Sequence, residues 1–262
     1  CRTRLNYAGK SQYESVDVSI LNGRLNEFSF DQAGFTMLDQ KSGVSNWLDF
    51  EELTSVHMPE IAALSMGFAG CDVAVAYKPI IRSPSYAGSS IDYAPIESVH
   101  SDYTEGYRRM VINKDYAYQV FLQPLLDQAG LTCNDLANAS RLMVMQFWRN
   151  IGDQNPDRPL ALCGASTVHR DEMIPILVSE YAGALNFKAF VVRTPADASR
   201  HHWYTLPSLS KEETLAFRSY DSLCADEARA FYTPHTAFID STVGPDAPQR
   251  ESVEIRALCV FR

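Results

Sequence analysis

The sequence predicts a mainly β fold with flanking helices (α+β), of the jelly-roll or barrel type. Three observations carry that expectation. From residue 141 onward, short apolar runs recur at close spacing with turn residues between them. Regular strand–helix alternation is missing, which disfavours a doubly wound parallel sheet. No G-x-G-x-x-G or P-loop occurs, so the chain encodes no dinucleotide or NTP cradle. With 262 residues, 46% of them apolar, the chain can bury one full core as a single domain. Residues 1–70 read as an N-terminal strand and helix elaboration, and 71–262 as a β core with an inserted helix at about 107–129.

Taken in order, Glu27-Phe28-Ser29-Phe30 and Gly34-Phe35-Thr36-Met37-Leu38 are strand-like. Asp49 to Ala69 is a helix, because Leu53, Val56, Ile61, Leu64 and Phe68 recur at roughly helical spacing. Asp72 to Tyr77 alternates like a strand, and Ser83 to Ser90 reads as a loop. Between Tyr107 and Ala129, Tyr116, Val120, Leu122, Leu125 and Leu126 mark a helix that Gly130 is placed to end. Strands are expected at Arg141–Trp148, Pro159–Cys163, Ile174–Val178 and Phe187–Val192. Further strands follow at His202–Leu206, Leu215–Tyr220, Thr236–Ile239 and Val253–Val260. Ser210-Lys211-Glu212-Glu213 matches a capping box and predicts one helical turn before Leu215.

The net charge of −9 and the absence of any basic block argue against nucleic acid or an anionic membrane as partner. No apolar run approaches the roughly 18 residues that span a bilayer. The opening Cys1-Arg2-Thr3-Arg4 lacks the regions of a signal peptide. Six cysteines without a C-x-x-C pair read as reduced, mostly buried thiols, so a cytoplasmic enzyme is the expectation.

Chemistry concentrates at His100-Ser101-Asp102. Side chains two apart on a strand share a face, so the imidazole and carboxylate can reach one metal ion together. A distal histidine would complete a two-His-one-carboxylate triad, which leaves open positions and suits non-haem Fe(II). His201, His202 and His235 all remain open for that role, although at most one of the adjacent pair faces inward. His169-Arg170-Asp171 repeats the pattern but leads into an acidic stretch that reads as a surface turn. His57 reads as a surface or packing residue of its helix. Arg250, Ser252 and Arg256 share parity and hence one strand face, where a buried cation needs an anion. That anion is either a carboxylate-bearing co-substrate or a neighbouring acid such as Glu251 or Glu254.

Seven motifs occur in a telling order: Val99-His100-Ser101-Asp102-Tyr103-Thr104, Phe147-Trp148-Arg149, Pro159 to Cys163, His202-Trp203-Tyr204, Phe217 to Ser222, His235-Thr236-Ala237-Phe238 and Ala247 to Arg256. In this series residues 70–262 resemble the largely fungal AsaB-type hydroxylase/desaturase family, related to gibberellin-desaturase-like and CmcJ-like proteins. The resemblance implies a double-stranded β-helix (cupin-like) and an Fe(II)/2-oxoglutarate-dependent dioxygenase of specialised metabolism that consumes O2. His100, Asp102 and His235 would hold the iron. Arg250 would bind the distal carboxylate of 2-oxoglutarate, with Ser252 assisting and Arg256 as the alternative. Trp148 and Arg149 are expected to line the substrate pocket, with Tyr103 and Trp203 beside them. The substrate is a small molecule that undergoes hydroxylation, desaturation or ring closure. An amino or carboxylic acid, such as valine closing to an aziridine, fits if Arg256 or Arg149 grips its carboxylate. A homodimer is compatible with this reading. The alternatives are a non-catalytic or differently metallated metabolite-binding jelly roll, and a methyltransferase, for which no glycine-rich cradle is present.

Overall fold

The computed structural model describes residues 1–113, 121–181 and 185–262. Its strands are β1 (Arg2–Ala8), β2 (Tyr13–Asn22), β3 (Phe35–Asp39), β4 (Val73–Ala76), β5 (Ile80–Arg82), β6 (His100–Ser101) and β7 (Arg141–Asn150). They continue with β8 (Leu160–Cys163), β9 (Met173–Tyr181), β10 (Leu185–Val192), β11 (Trp203–Thr205), β12 (Glu213–Asp221), β13 (His235–Ala237) and β14 (Ser252–Phe261). Among the described residues these strands form two sheets. One runs β1-β2-β11-β8-β13-β6-β10-β9; the other runs β3-β12-β7-β14-β4, with β5 also paired to β14. All the pairings are antiparallel except β2 with β11. This is the expected jelly roll, a double-stranded β-helix.

Side-chain parity on the central strands sorts the core into two layers. On β7 and β14 the even residues Leu142, Val144, Leu258 and Val260 join the apolar cluster between the sheets. The odd residues Met143, Met145, Phe147, Val253, Ile255, Ala257 and Cys259 face outward and pack with Leu53 and Ile61 of the long helical segment. That segment runs as Phe50–Glu52, a π-helical turn Leu53–His57, and Met58–Ala69. Asp49 caps it by accepting from the Glu51 and Glu52 amides, and Gly70 ends it in a left-handed conformation (φ 68°).

Most strand expectations match, and the differences have local causes. Phe28 and Phe30 would share a face in a strand. Instead Phe28 packs on Phe35 and Tyr204 while Phe30 packs on Phe68, so the chain turns through a short helix, Phe30–Ala33. The loop at 83–90 holds a helical turn, Pro84–Ala87, capped by Ser83. Glu213 Oε2 accepts from the Ser210 amide at 2.8 Å, as the capping box requires, but the turn leads straight into β12. The helix expected at 107–129 is present as Tyr107–Ile112 and Gln123–Gln128, whereas Tyr116 and Val120 lie outside the described residues. Among the described residues, no helix is long and apolar enough to cross a membrane.

Candidate metal centre

His100 on β6 and His235 on β13 are directly paired in the antiparallel register, which sets their imidazoles side by side with ring centres 4.3 Å apart. Asp102 follows at the bend that ends β6, with its Oδ1 3.8 Å from Nε2 of both histidines. Among the described residues, these three form the group whose ligand atoms, all within 4.8 Å of one another, could hold a metal ion.

The tautomers are fixed by backbone carbonyls, which can only accept. His100 Nδ1 donates to Ser98 O at 2.7 Å, and His235 Nδ1 donates to Thr233 O at 3.0 Å. Each Nε2 therefore presents its lone pair to the centre, the orientation that metal-bound histidines receive from their supports. Gly34 (φ 81°), which caps the short helix just before β3, braces this arrangement. Its carbonyl accepts from Thr233 Oγ1 at 3.0 Å, and a Cβ there would fall 2.4 Å from that hydroxyl.

Burial, then the neighbouring His235, pushes His100 down to about 4, so it is neutral at physiological pH. Burial alone would raise Asp102, but Arg256, His235 and His100 together outweigh it and hold the carboxyl well below its usual range. Two imidazoles and one carboxylate are the donor set of a facial Fe(II) site, and the residues present fit that ion.

The triad opens into a solvent-connected cavity, with about 310 Å³ of empty space including open solvent, that Trp148, Leu160, Arg250, Glu254 and Arg256 also line. Arg250 is buried, its guanidinium 5.6 Å from the centre of the Trp148 ring. Its Nη1 donates weakly to Arg158 O at 3.3 Å, and its Nε has no partner. Burial, then Arg82, pushes the guanidinium down to about 9. Arg256 instead grips Asp102, while Glu254 lies between Arg82 and Arg256.

Not every expected residue joins this cavity. Trp148 and Arg149 are consecutive on β7 and so face opposite ways. Arg149 lies on the outer face, with Nη1 on Gln40 O and Lys211 O and its guanidinium over the Trp47 ring; it does not reach the cavity. Trp203 packs edge-on to Tyr7 and donates to its hydroxyl at 2.8 Å, and it does not line the cavity. Tyr103 packs edge-on to Tyr107 and does not line the cavity. Ser252 is buried in register with Arg82 and Asn150 but does not line the cavity. His201 is buried between Tyr7 and Glu172, His202 is exposed, and His169 stands exposed beside a 3-10 turn. The residues that sequence reasoning missed are Arg82, Ile96, Leu160, Thr236 and Ala237. Glu254, from the sequence an alternative partner for the arginines, also lines the cavity.

Residues 3–260 match the family model described as the oxidoreductase/YMDC permease-like domain. The chain belongs to this family. Among proteins similar to this member of the oxidoreductase/YMDC permease-like family is the alpha-ketoglutarate-dependent dioxygenase phiK of Fungal sp. (strain ATCC 74256). It is 24% identical over 259 residues, covering 97% of this chain and 87% of the relative. The hydroxylase/desaturase CTB9 of Cercospora beticola is 24% identical over 241 residues, covering 87% and 72%. The resemblance to hydroxylase/desaturase proteins is thus borne out. The solved structure of the iron and alpha-ketoglutarate-dependent endoperoxidase NvfI superposes with a TM-score of 0.77 at 21% identity. The likeness covers 100% of this chain and 98% of that one, and it shows a shared fold.

Proposed function

We propose that this protein is an Fe(II)/2-oxoglutarate-dependent dioxygenase of specialised metabolism. His100, Asp102 and His235 would hold the iron, and Arg250 would receive the distal carboxylate of 2-oxoglutarate. One observation carries the reading: a three-ligand cluster with oriented histidines shares its cavity with a buried, under-partnered arginine. Such a guanidinium suits a carboxylate ligand, because its planar fork donates at two points. When bound, the iron and co-substrate supply the oxidising chemistry, ending in hydroxylation, desaturation or ring closure of a small molecule. The protein's own part is to orient two imidazoles through their Nδ1 hydrogen bonds, keep Asp102 ionised, and supply a buried cation beside the Trp148 ring. Trp148 and Leu160 also border a neighbouring pocket that is open to solvent, so they stand between the metal site and further space for a substrate.

The amino-acid substrate, valine included, loses the support that suggested it. Arg149 lies outside the cavity and Arg256 is engaged with Asp102. We read residues 1–262 as one oxygenase domain, since β1 and β2 complete one sheet and β3 the other. The six free cysteines, four of them buried, support a reducing compartment such as the cytoplasm. The net charge of −9 supports a small-molecule substrate rather than nucleic acid.

The test is anaerobic titration with Fe(II) and then 2-oxoglutarate, followed by the visible charge-transfer band. One equivalent of iron and a band that needs both additions are expected, with loss of both in His100→Ala and His235→Ala. Absence of stoichiometric iron in the unaltered protein would leave a metal-free jelly roll.

A further inference from the structure

Asp102 divides its two carboxylate oxygens between two tasks. Oδ1 faces the histidines, 3.8 Å from each Nε2. Oδ2 accepts from Arg256 Nε at 3.0 Å and lies 2.9 Å from Arg256 Nη2. Arg256 comes from β14, in the opposite sheet, so the grip spans the gap between the layers. An ungripped carboxylate can offer a metal both of its oxygens.

We propose that Arg256 is a positioning residue that confines Asp102 to one-oxygen coordination through Oδ1 and so keeps a coordination position open at the metal. A facial triad works because three positions stay free, and a chelating Asp102 would fill one of them.

The support behind Arg256 suits that task. Its Nη2 lies 3.6 Å from Glu254 Oε1, which accepts from Arg82 Nη2 at 3.0 Å, and Glu254 Oε2 accepts from Gln146 at 3.1 Å. Arg82 in turn donates to the carbonyls of Asp92 and Ala94 at 2.7 and 2.8 Å. Charges alternate along Arg82, Glu254, Arg256 and Asp102, and the side chains are at most 16% exposed. A pair held this way is far from a solvated surface ion pair, which contributes little.

The inference rests on the metal reading above, and Mn(II) separates the two. Mn(II) binds without redox chemistry, and water-proton relaxation counts its exchangeable waters. The unaltered protein is expected to bind one equivalent with about three such waters, the open positions of a facial triad. No stoichiometric binding would overturn the metal reading itself. In Arg256→Gln the water count should fall to about two, and Mn(II) affinity should drop roughly tenfold or more, as loss of a ligand's support generally does. Arg256→Lys keeps the buried charge, and with it the fold, but loses the two-point fork. It should recover part of the affinity and none of the third water. Unchanged affinity and relaxation in Arg256→Gln would overturn the proposal. So would full recovery of both in Arg256→Lys, because charge alone would then suffice.

Discussion

The guanidinium of Arg250 lies 5.6 Å from the ring centre of Trp148, and among the described residues no carboxylate comes within salt-bridge distance of it. Two other arginines of the same cavity, Arg82 and Arg256, each have one. A buried cation without an anion weakens the fold by itself, and such a defect is typical of a binding site awaiting its ligand.

Arg250→Gln should therefore separate binding from stability. Hydrogen bonds to a charged group contribute about 1.5–3 kcal/mol, so 2-oxoglutarate affinity should fall roughly 10- to 100-fold while Mn(II) affinity holds. The ligand-free variant should melt no lower than the parent, because the substitution removes an uncompensated buried charge. Titration of 2-oxoglutarate into the metal-loaded protein, together with a melting curve, checks both halves. Unchanged affinity would remove Arg250 from the co-substrate site.

Arg149 should behave in the opposite way. It satisfies Gln40 O and Lys211 O on the outer face and stacks on Trp47 with its guanidinium 5.0 Å from the ring centre. Arg149→Ala leaves those acceptors short, at a cost of about 1–3 kcal/mol. For a chain of this length that corresponds to a melting-point drop of roughly 2–6 °C. Affinity for 2-oxoglutarate should not change, and a tenfold loss would contradict its placement outside the cavity.

The contrast between these two arginines shows what was legible in the sequence. Period-two parity set Arg250, Ser252 and Arg256 on one face, and Arg250 and Arg256 do reach the cavity. The same rule applied to Trp148 and Arg149 forbids both from lining one pocket, and only Trp148 does. The pairing of His100 with His235 was not readable from residue spacing. It depends on β6 and β13 becoming neighbours, a long-range choice that local pattern does not encode. Only the ordered motifs of the resemblance singled out His235 from His201 and His202. Arg82 had no local signal, because its role comes from the register of β5 against β14.

His201 makes a sharp control for the metal assignment. Trp203 Nε1 donates to the Tyr7 hydroxyl, Tyr7 lies 3.0 Å from His201 Nδ1, and His201 Nε2 lies 3.1 Å from Glu172 Oε2. Both ring nitrogens are thus occupied, leaving no lone pair for an ion. His201→Ala should retain full Mn(II) affinity yet lose about 1–3 kcal/mol of stability by stranding buried polar partners. Denaturant unfolding alongside metal titration gives both values. Loss of the metal in this variant, with the fold intact, would reopen the choice of distal histidine.

His57 should make stability depend on pH. It is a buried residue of the long helical segment, with Nδ1 2.9 Å from Glu60 Oε2. Burial is the largest influence and lowers it to about 4; Glu60 opposes that shift and Arg149 adds to it. With an ordinary histidine value near 6.5 in the unfolded chain, the unfolded state binds more protons than the native state between about pH 4 and 6.5. Stability therefore falls as pH drops through that window and is insensitive to this group above it. At pH 5 the loss relative to pH 7.5 should be on the order of 2 kcal/mol from His57, a melting-point drop of roughly 4 °C. His57→Gln removes the titrating ring, so its melting point should fall by about that much less over the same interval. Melting curves of parent and variant at pH 7.5, 6 and 5 provide the check, and parallel pH profiles would show that His57 does not contribute.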